Sequence, residues 1–314
     1  MLITSSALVT KQRTRTPSAG EMEAAMRSLF SDNSRYIDAF HIFVKNSTEH
    51  QRMREFIDTK LQEIISSIEL KKPVIDVLGV GSGAGEIDLQ MISKMQAIYP
   101  GVRIDNIIVE PSPKQISCYK ERIAKTKGLD NVTFSWHEKT SFEFESEVKE
   151  SKQLKKYDFI HMIQMLYYVK DVEATLKFFS SCLAPKGKLV ISLVSEKSGW
   201  PILWQKYGSR LPLNDLCFQV TSGGVQDILN SMGAKYESYN LHSHTNITEC
   251  FVEGDHNGEL LLDFLTDTCE FNKNAPSDLR DQVLHDLKSL EFSASKDGKI
   301  LFRNKASVIV VESP

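Results

Sequence analysis

The sequence predicts an α/β fold, an open parallel sheet with helices on both faces, from three observations. A β-branched apolar run, Pro73 to Val80, ends in the glycine-dense turn Gly81-Ser82-Gly83-Ala84-Gly85. A helical pattern follows at Leu89, Met91, Ile92 and Met95. Four more short apolar runs recur downstream. The strand–glycine–helix unit builds a nucleotide-type pocket at the carboxyl edge of such a sheet. Its glycines let the backbone approach a ligand, and the helix presents unpaired N–H groups.

Taken in order, the elements narrow the ligand. Gly79 to Ala84 fits the dinucleotide pattern G-x-G-x-x-A, while Gly81 to Gly85 fits the G-x-G-x-G of S-adenosylmethionine (SAM) enzymes. A ligand-free helix-capping turn is the plain alternative. The second strand, Ile107-Ile108-Val109, ends in Glu110, where a carboxylate can accept both hydroxyls of a ribose. The third, Val132-Thr133-Phe134, leads to His137 and Ser141, at the place where an adenine could be held. The fourth, Tyr157 to Ile163, ends in Gln164. A helix then reaches Leu183-Ala184-Pro185-Lys186-Gly187, and the fifth strand runs from Lys188 to Val194. That Leu-x-Pro-Lys-Gly turn resembles the class I SAM-dependent methyltransferases, and dehydrogenases do not usually carry it there. The resemblance implies a Rossmann-like sheet with a smaller substrate-binding elaboration, and SAM as methyl donor.

A chain of 314 residues fits one elaborated domain better than two independent ones. Residues 1–21 hold Lys11, Arg13 and Arg15 and only one acid, Glu21, at their end. They read as a disordered tail, with an organelle transit peptide as the sharper alternative. Residues 22–314 read as a single methyltransferase domain with an N-terminal lid (about 22–68) and a C-terminal substrate-binding elaboration (about 196–314). A net charge of -3, with both signs interspersed, provides no electrostatic case for nucleic acid and favours a small substrate. Five cysteines are scattered without a C-x-x-C pair or zinc spacing, which reads as reduced thiols with no metal. Asn46-Ser47-Thr48 and Asn246-Ile247-Thr248 match glycosylation acceptors, but nothing else suggests secretion. No apolar run approaches the ~20 residues that span a membrane. The expectation is a cytoplasmic monomer acting on a small molecule.

Three regions are not generic. Phe30, Tyr36, Phe40 and Phe43 follow helical spacing before the glycine turn. Such a stripe either packs on the sheet or lies over the cofactor pocket and faces substrate. Glu49, which opens the next helix, is either a charge suited to that helix's positive end or a buried carboxylate for a cationic substrate. Gln164, Tyr167 and Tyr168 follow the fourth strand, bordering the transferring methyl group in this fold class. Beyond the fifth strand, Trp200 and Trp204 sit four apart on one helix face, as a wall for a flat ring or a cation, or else as an interface anchor.

With these residues in view, the chain resembles the histamine N-methyltransferase family. The likeness is carried by Met26-Arg27-Ser28-Leu29-Phe30-Ser31-Asp32, Ser47-Thr48-Glu49-His50, Gly83 to Gln90, Phe159 to Asp171, Lys206 to Arg210 and Asp263-Phe264-Leu265-Thr266. It runs collinearly from about Met22 onward. The resemblance implies Gly81, Glu110, Gln115, Ser141 and Ile163 on the cofactor side. On the substrate side it implies Tyr36, Phe40, Glu49, Gln164, Tyr167 and Tyr168, together with Trp200, Trp204, Cys217, Phe264 and Asn304. Glu49, Gln164 and Asn304 would bracket the amine and ring nitrogens. No general acid or base is implied. An imidazole nitrogen, with an unperturbed pKa near ~6.5, is already a nucleophile when neutral, so alignment carries most of the acceleration. An ion pair at Glu49 would add binding remote from the reacting atom.

Two departures set this chain apart. Leu211 stands where the family's histamine enzymes carry Phe, and Arg303 and Lys305 flank Asn304 where they carry uncharged residues. A roomier, more positive pocket suits carnosine, the carboxylate-bearing substrate of a second branch of the family. The expectation therefore places carnosine ahead of histamine, and either way the acceptor is an imidazole. Arg303 and Lys305 share the face of an extended segment opposite Asn304, so a bend is required for either to reach the pocket. From another class, a non-catalytic SAM-fold protein is disfavoured by the intact turn, Glu110 and the aromatic set.

Overall fold

The computed structural model describes residues 26–70, 72–212 and 219–313. Helices α1 (Asn33–Asn46) and α2 (Glu49–Ser66) precede the alternating core: β1 (Val74–Val80), α3 (Glu86–Ile98), β2 (Arg103–Val109), α4 (Pro113–Lys125) and β3 (Val132–His137). Then come α5 (Ser141–Ser151), β4 (Tyr157–Ile163), α6 (Val172–Ser181), β5 (Leu183–Val194) and α7 (Gly199–Tyr207). The remainder comprises α8 (Ser222–Ser231), β6 (Tyr236–Leu241), β7 (Thr245–Asn246), α9 (His256–Thr266) and α10 (Phe271–Asn274), followed by α11 (Ser277–Lys288), β8 (Ser293–Lys296), β9 (Lys299–Phe302) and β10 (Ala306–Glu312).

Seven strands form the central sheet in the order β3-β2-β1-β4-β5-β10-β6. The first five run parallel, and β10 inserts antiparallel between β5 and β6. Alternation along β1 explains the two layers: Ile75 and Val77 face one apolar cluster with α2 and α3, and Leu78 and Val80 face the other with α6 and α8. Strands buried on both faces carry near-continuous apolar runs, which is why β1 and β4 were legible.

The segment expected as a C-terminal elaboration is interrupted. Its α8, β6 and β10 return to the central sheet, because Val308 to Val311 are buried on both faces and need partners on both edges. A third cluster unites Phe43 of α1 with α7, α9, α11 and Phe302 of β9. The aromatic helix α1 therefore packs on α9 rather than on the sheet; α2 covers the sheet instead.

Candidate functional site

The residues expected on the cofactor side meet at one edge. Val80 pairs with Val109 and Met162, and Val109 with His137, so β1, β2, β3 and β4 end level. Gly81 continues β1 at φ 69°, donating its N–H to Val109 O (2.8 Å). A Cβ there would lie 2.6 Å from the Met165 Cβ, whereas one on Gly83 would meet nothing within 4 Å. Glu110, buried at the end of β2, accepts the N–H of Gly83 (2.8 Å) and of Ser112 (3.0 Å). Burial pushes its carboxyl pKa up, opposed by those two N–H bonds. Gln115 lies in the first turn of α4, Ser141 opens α5 behind a Thr140–Glu143 capping box, and Ile163 closes β4. A buried carboxylate beside a glycine turn that is open at Gly83, with the buried Ser82 Oγ unpartnered among the described residues, fits a hydroxyl-rich adenosyl group.

Beside this edge lies a cavity of about 740 Å³, bounded by α1, α7, α9 and the ends of β4 and β5. All of the expected substrate-side residues line it except Cys217, which lies outside the described residues. At its base Glu49 accepts the Gln164 Nε2–H on Oε1 (2.5 Å) and the Asn304 Nδ2–H on Oε2 (2.9 Å). Burial pushes the Glu49 carboxyl up, opposed by the Asn304 bond, by His50 and by the Gln164 bond. Gln164 sits at φ 53°, a left-handed conformation uncommon for any residue other than glycine, just where β4 ends. The turn this makes carries its side chain across to α2.

Above this base the rings form a continuous wall. Tyr36 stacks on Phe40 (centroids 6.3 Å apart), and Phe264 of α9 lies 6.1 Å from Phe40 and 6.0 Å from Trp200. Trp204 lies one turn further along α7, 6.3 Å from Trp200. Phe40 and Tyr168 are among the few large rings left exposed. Sequence reasoning missed Ser47, whose Oγ accepts from Glu49 N (3.1 Å) and Asn304 Nδ2 (3.2 Å), and missed His50 as a wall residue, while Phe43, from the stripe left open between sheet and substrate, lines the cavity. No signal was available for Ser47, whose partner Asn304 is remote in sequence.

Leu211 lines the cavity as expected, but Arg303 and Lys305 do not. The backbone does bend: Asn304 N bonds back to Phe302 O (2.9 Å), and residues 303–305 leave strand geometry. That bend turns Asn304 inward, buried, and Arg303 outward to solvent. The charge-based ground for preferring carnosine is thereby corrected. Among the described residues no group of His, Cys, Asp or Glu is arranged to hold a metal ion, and no helix is long and apolar enough to cross a membrane.

Comparison with known proteins agrees with this geometry. The family model for a methyltransferase domain matches residues 50–239. Histamine N-methyltransferase A of Xenopus laevis is 65% identical over 292 residues, covering 93% of this chain and 100% of that protein. Histamine N-methyltransferase of Bos taurus is 55% identical over 93% of this chain and 100% of its own length. Carnosine N-methyltransferase 2 of Gallus gallus is 46% identical over 92% of this chain and 89% of its own. Among solved structures, a putative methyltransferase from Bacillus halodurans covers 82% of this chain and 99% of its own, at 10% identity and a TM-score of 0.50, a likeness of fold.

Proposed function

The chain belongs to the histamine N-methyltransferase family of class I SAM-dependent methyltransferases, and we propose that it transfers a methyl group to a ring nitrogen of histamine. One observation carries the reading: an enclosed carboxylate, Glu49, bracketed by two amide N–H donors at the base of an aromatic cavity. That is the complement of a small flat ring bearing an ammonium group. The relatives at 55% identity and above support histamine. Carnosine is the second reading, favoured by the 46% relative and by Leu211 where a larger ring would narrow the cavity.

When bound, SAM supplies an electrophilic methyl on a sulfonium. Glu110 would take the ribose hydroxyls, with Gly81, Gln115, Ser141 and Ile163 forming the rest of the cradle. Glu49 pairs the substrate ammonium, and Gln164 and Asn304 hold that carboxylate from either side. Tyr36, Phe40, Trp200, Trp204 and Phe264 confine the imidazole plane and exclude water. Tyr167 and Tyr168 border the approach to β4. No residue needs to remove a proton before transfer, because the neutral ring nitrogen already carries its lone pair. The proposal includes action as a cytoplasmic monomer, which light scattering and fractionation check. Turnover of histamine and carnosine, measured side by side at equal concentration, tests the substrate. Faster carnosine turnover would put the second reading first, and transfer to neither would remove the imidazole reading altogether.

A further inference from the structure

Both amides at the cavity base could point either way, since the oxygen and nitrogen ends of Asn and Gln are nearly the same shape. A donor of fixed polarity at one amide and an anchored hydroxyl at the other decide the matter. Trp200 Nε1–H is a donor only, and it lies 2.9 Å from Asn304 Oδ1. The Tyr167 hydroxyl accepts the backbone N–H of Val194 (2.6 Å) and donates to Gln164 Oε1 (2.8 Å). Val194 belongs to β5, so the phenol is anchored to the sheet. With each carbonyl end held this way, the N–H ends turn toward Glu49, Asn304 sharing its second N–H with Ser47 Oγ. Reversing Asn304 would set donor against donor at the indole and acceptor against acceptor at the carboxylate. Reversing Gln164 would set acceptor against acceptor at Glu49 and take the acceptor away from the Tyr167 O–H.

We infer that Trp200 and Tyr167 are specificity-determining positioning residues: their N–H and O–H lock Asn304 and Gln164 onto Glu49, fixing that carboxylate for a substrate ammonium. Sequence reasoning placed both as ring faces toward the substrate; the hydrogen bonds assign them a second task that neither face explains. The lock runs from β5 through Tyr167 and Gln164 to Glu49, and from α7 through Trp200 and Asn304 to the same carboxylate. It ties the ammonium end of the cavity to the strand edge where the methyl is delivered. The inference rests on the proposed histamine reading and deepens it.

The test compares histamine with 4-methylimidazole, which has the ring but no ammonium, in turnover and in calorimetric binding with S-adenosylhomocysteine present. Trp200→Phe and Tyr167→Phe keep a ring and remove the donor. Each should weaken histamine by about tenfold or more, chiefly in KM and Kd, and 4-methylimidazole by less than about threefold. In an Asn304→Ala background, Trp200→Phe should cost less than about a further threefold, and Tyr167→Phe should behave alike in Gln164→Ala, because the residues act in series. Replacing Trp200 with benzothienylalanine, sulfur for N–H in the same shape, guards against a packing effect and should reproduce the Phe result. Additive losses in the double variants, or equal losses for both ligands, would make the rings simple walls and overturn the inference. Wild-type protein that neither binds nor methylates histamine would overturn the proposed function, and this inference with it. Binding without coupling overturns the inference alone.

Discussion

Glu49→Gln is the sharpest single perturbation of the cavity. The wild-type carboxylate accepts one amide N–H on each oxygen. The substituted amide has one acceptor end and one N–H₂ end, so either Gln164 or Asn304 must face a donor with its own donor. One amide hydrogen bond of the free protein is lost, which bears on stability, and on binding a charged bond to the substrate ammonium is lost, at about 1.5–3 kcal/mol. That binding term corresponds to roughly one to two orders of magnitude in kcat/KM for histamine, at about 1.4 kcal/mol per decade. Stability should change little, because the neutral amide escapes the burial penalty that raises the Glu49 pKa while one amide hydrogen bond is lost. The assay is initial-rate methyl transfer to histamine, with SAM affinity by calorimetry and Tm by scanning calorimetry as controls. SAM affinity should stay within about threefold, since Glu49 lies outside the glycine-turn edge. A folded variant whose kcat/KM stays within about threefold of wild type would refute the reasoning and reduce Glu49 to a charge at the start of α2.

Glu110→Ala should weaken SAM binding by about tenfold or more, because it removes the ribose acceptor and frees the Gly83 and Ser112 N–H groups; unchanged calorimetric affinity would take Glu110 out of the site. Gly81→Ala should lower stability by about 1–3 kcal/mol and impair SAM binding, since a side chain is strained at φ 69° and its Cβ would strike Met165; a wild-type Tm would contradict this. The ratio of wild-type to Glu49→Gln kcat/KM for histamine isolates the Glu49 titration, because substrate ionisation cancels. That ratio should be high where Glu49 is ionised and fall as pH drops through a pKa above the ordinary carboxylate value, with His50 the titratable neighbour; a ratio flat across pH would mean the carboxylate is not the ammonium partner.

Much of this molecule was decided locally, and those parts were legible. The Pro73–Val80 run, the glycine turn and Glu110 belong to one parallel-sheet edge, where period-2 burial and strand ends determine what faces the ligand. The spacing of Tyr36, Phe40 and Phe43 sufficed for a helix with an aromatic face, and that of Trp200 and Trp204 for a second. What covers a helix face is not local. Only the tertiary structure placed α1 on α9 instead of on the sheet, because Phe43 and Phe264 stack at 4.6 Å across more than two hundred residues of chain. Hydrogen-bond polarity is likewise a property of partners. Nothing in the neighbourhood of Asn304 in the sequence reveals that an indole from α7 claims its oxygen, or that Arg303 beside it faces water. The chain determined by itself which side chains were available, and packing decided which of their atoms meet, because a donor is defined only by the acceptor opposite it.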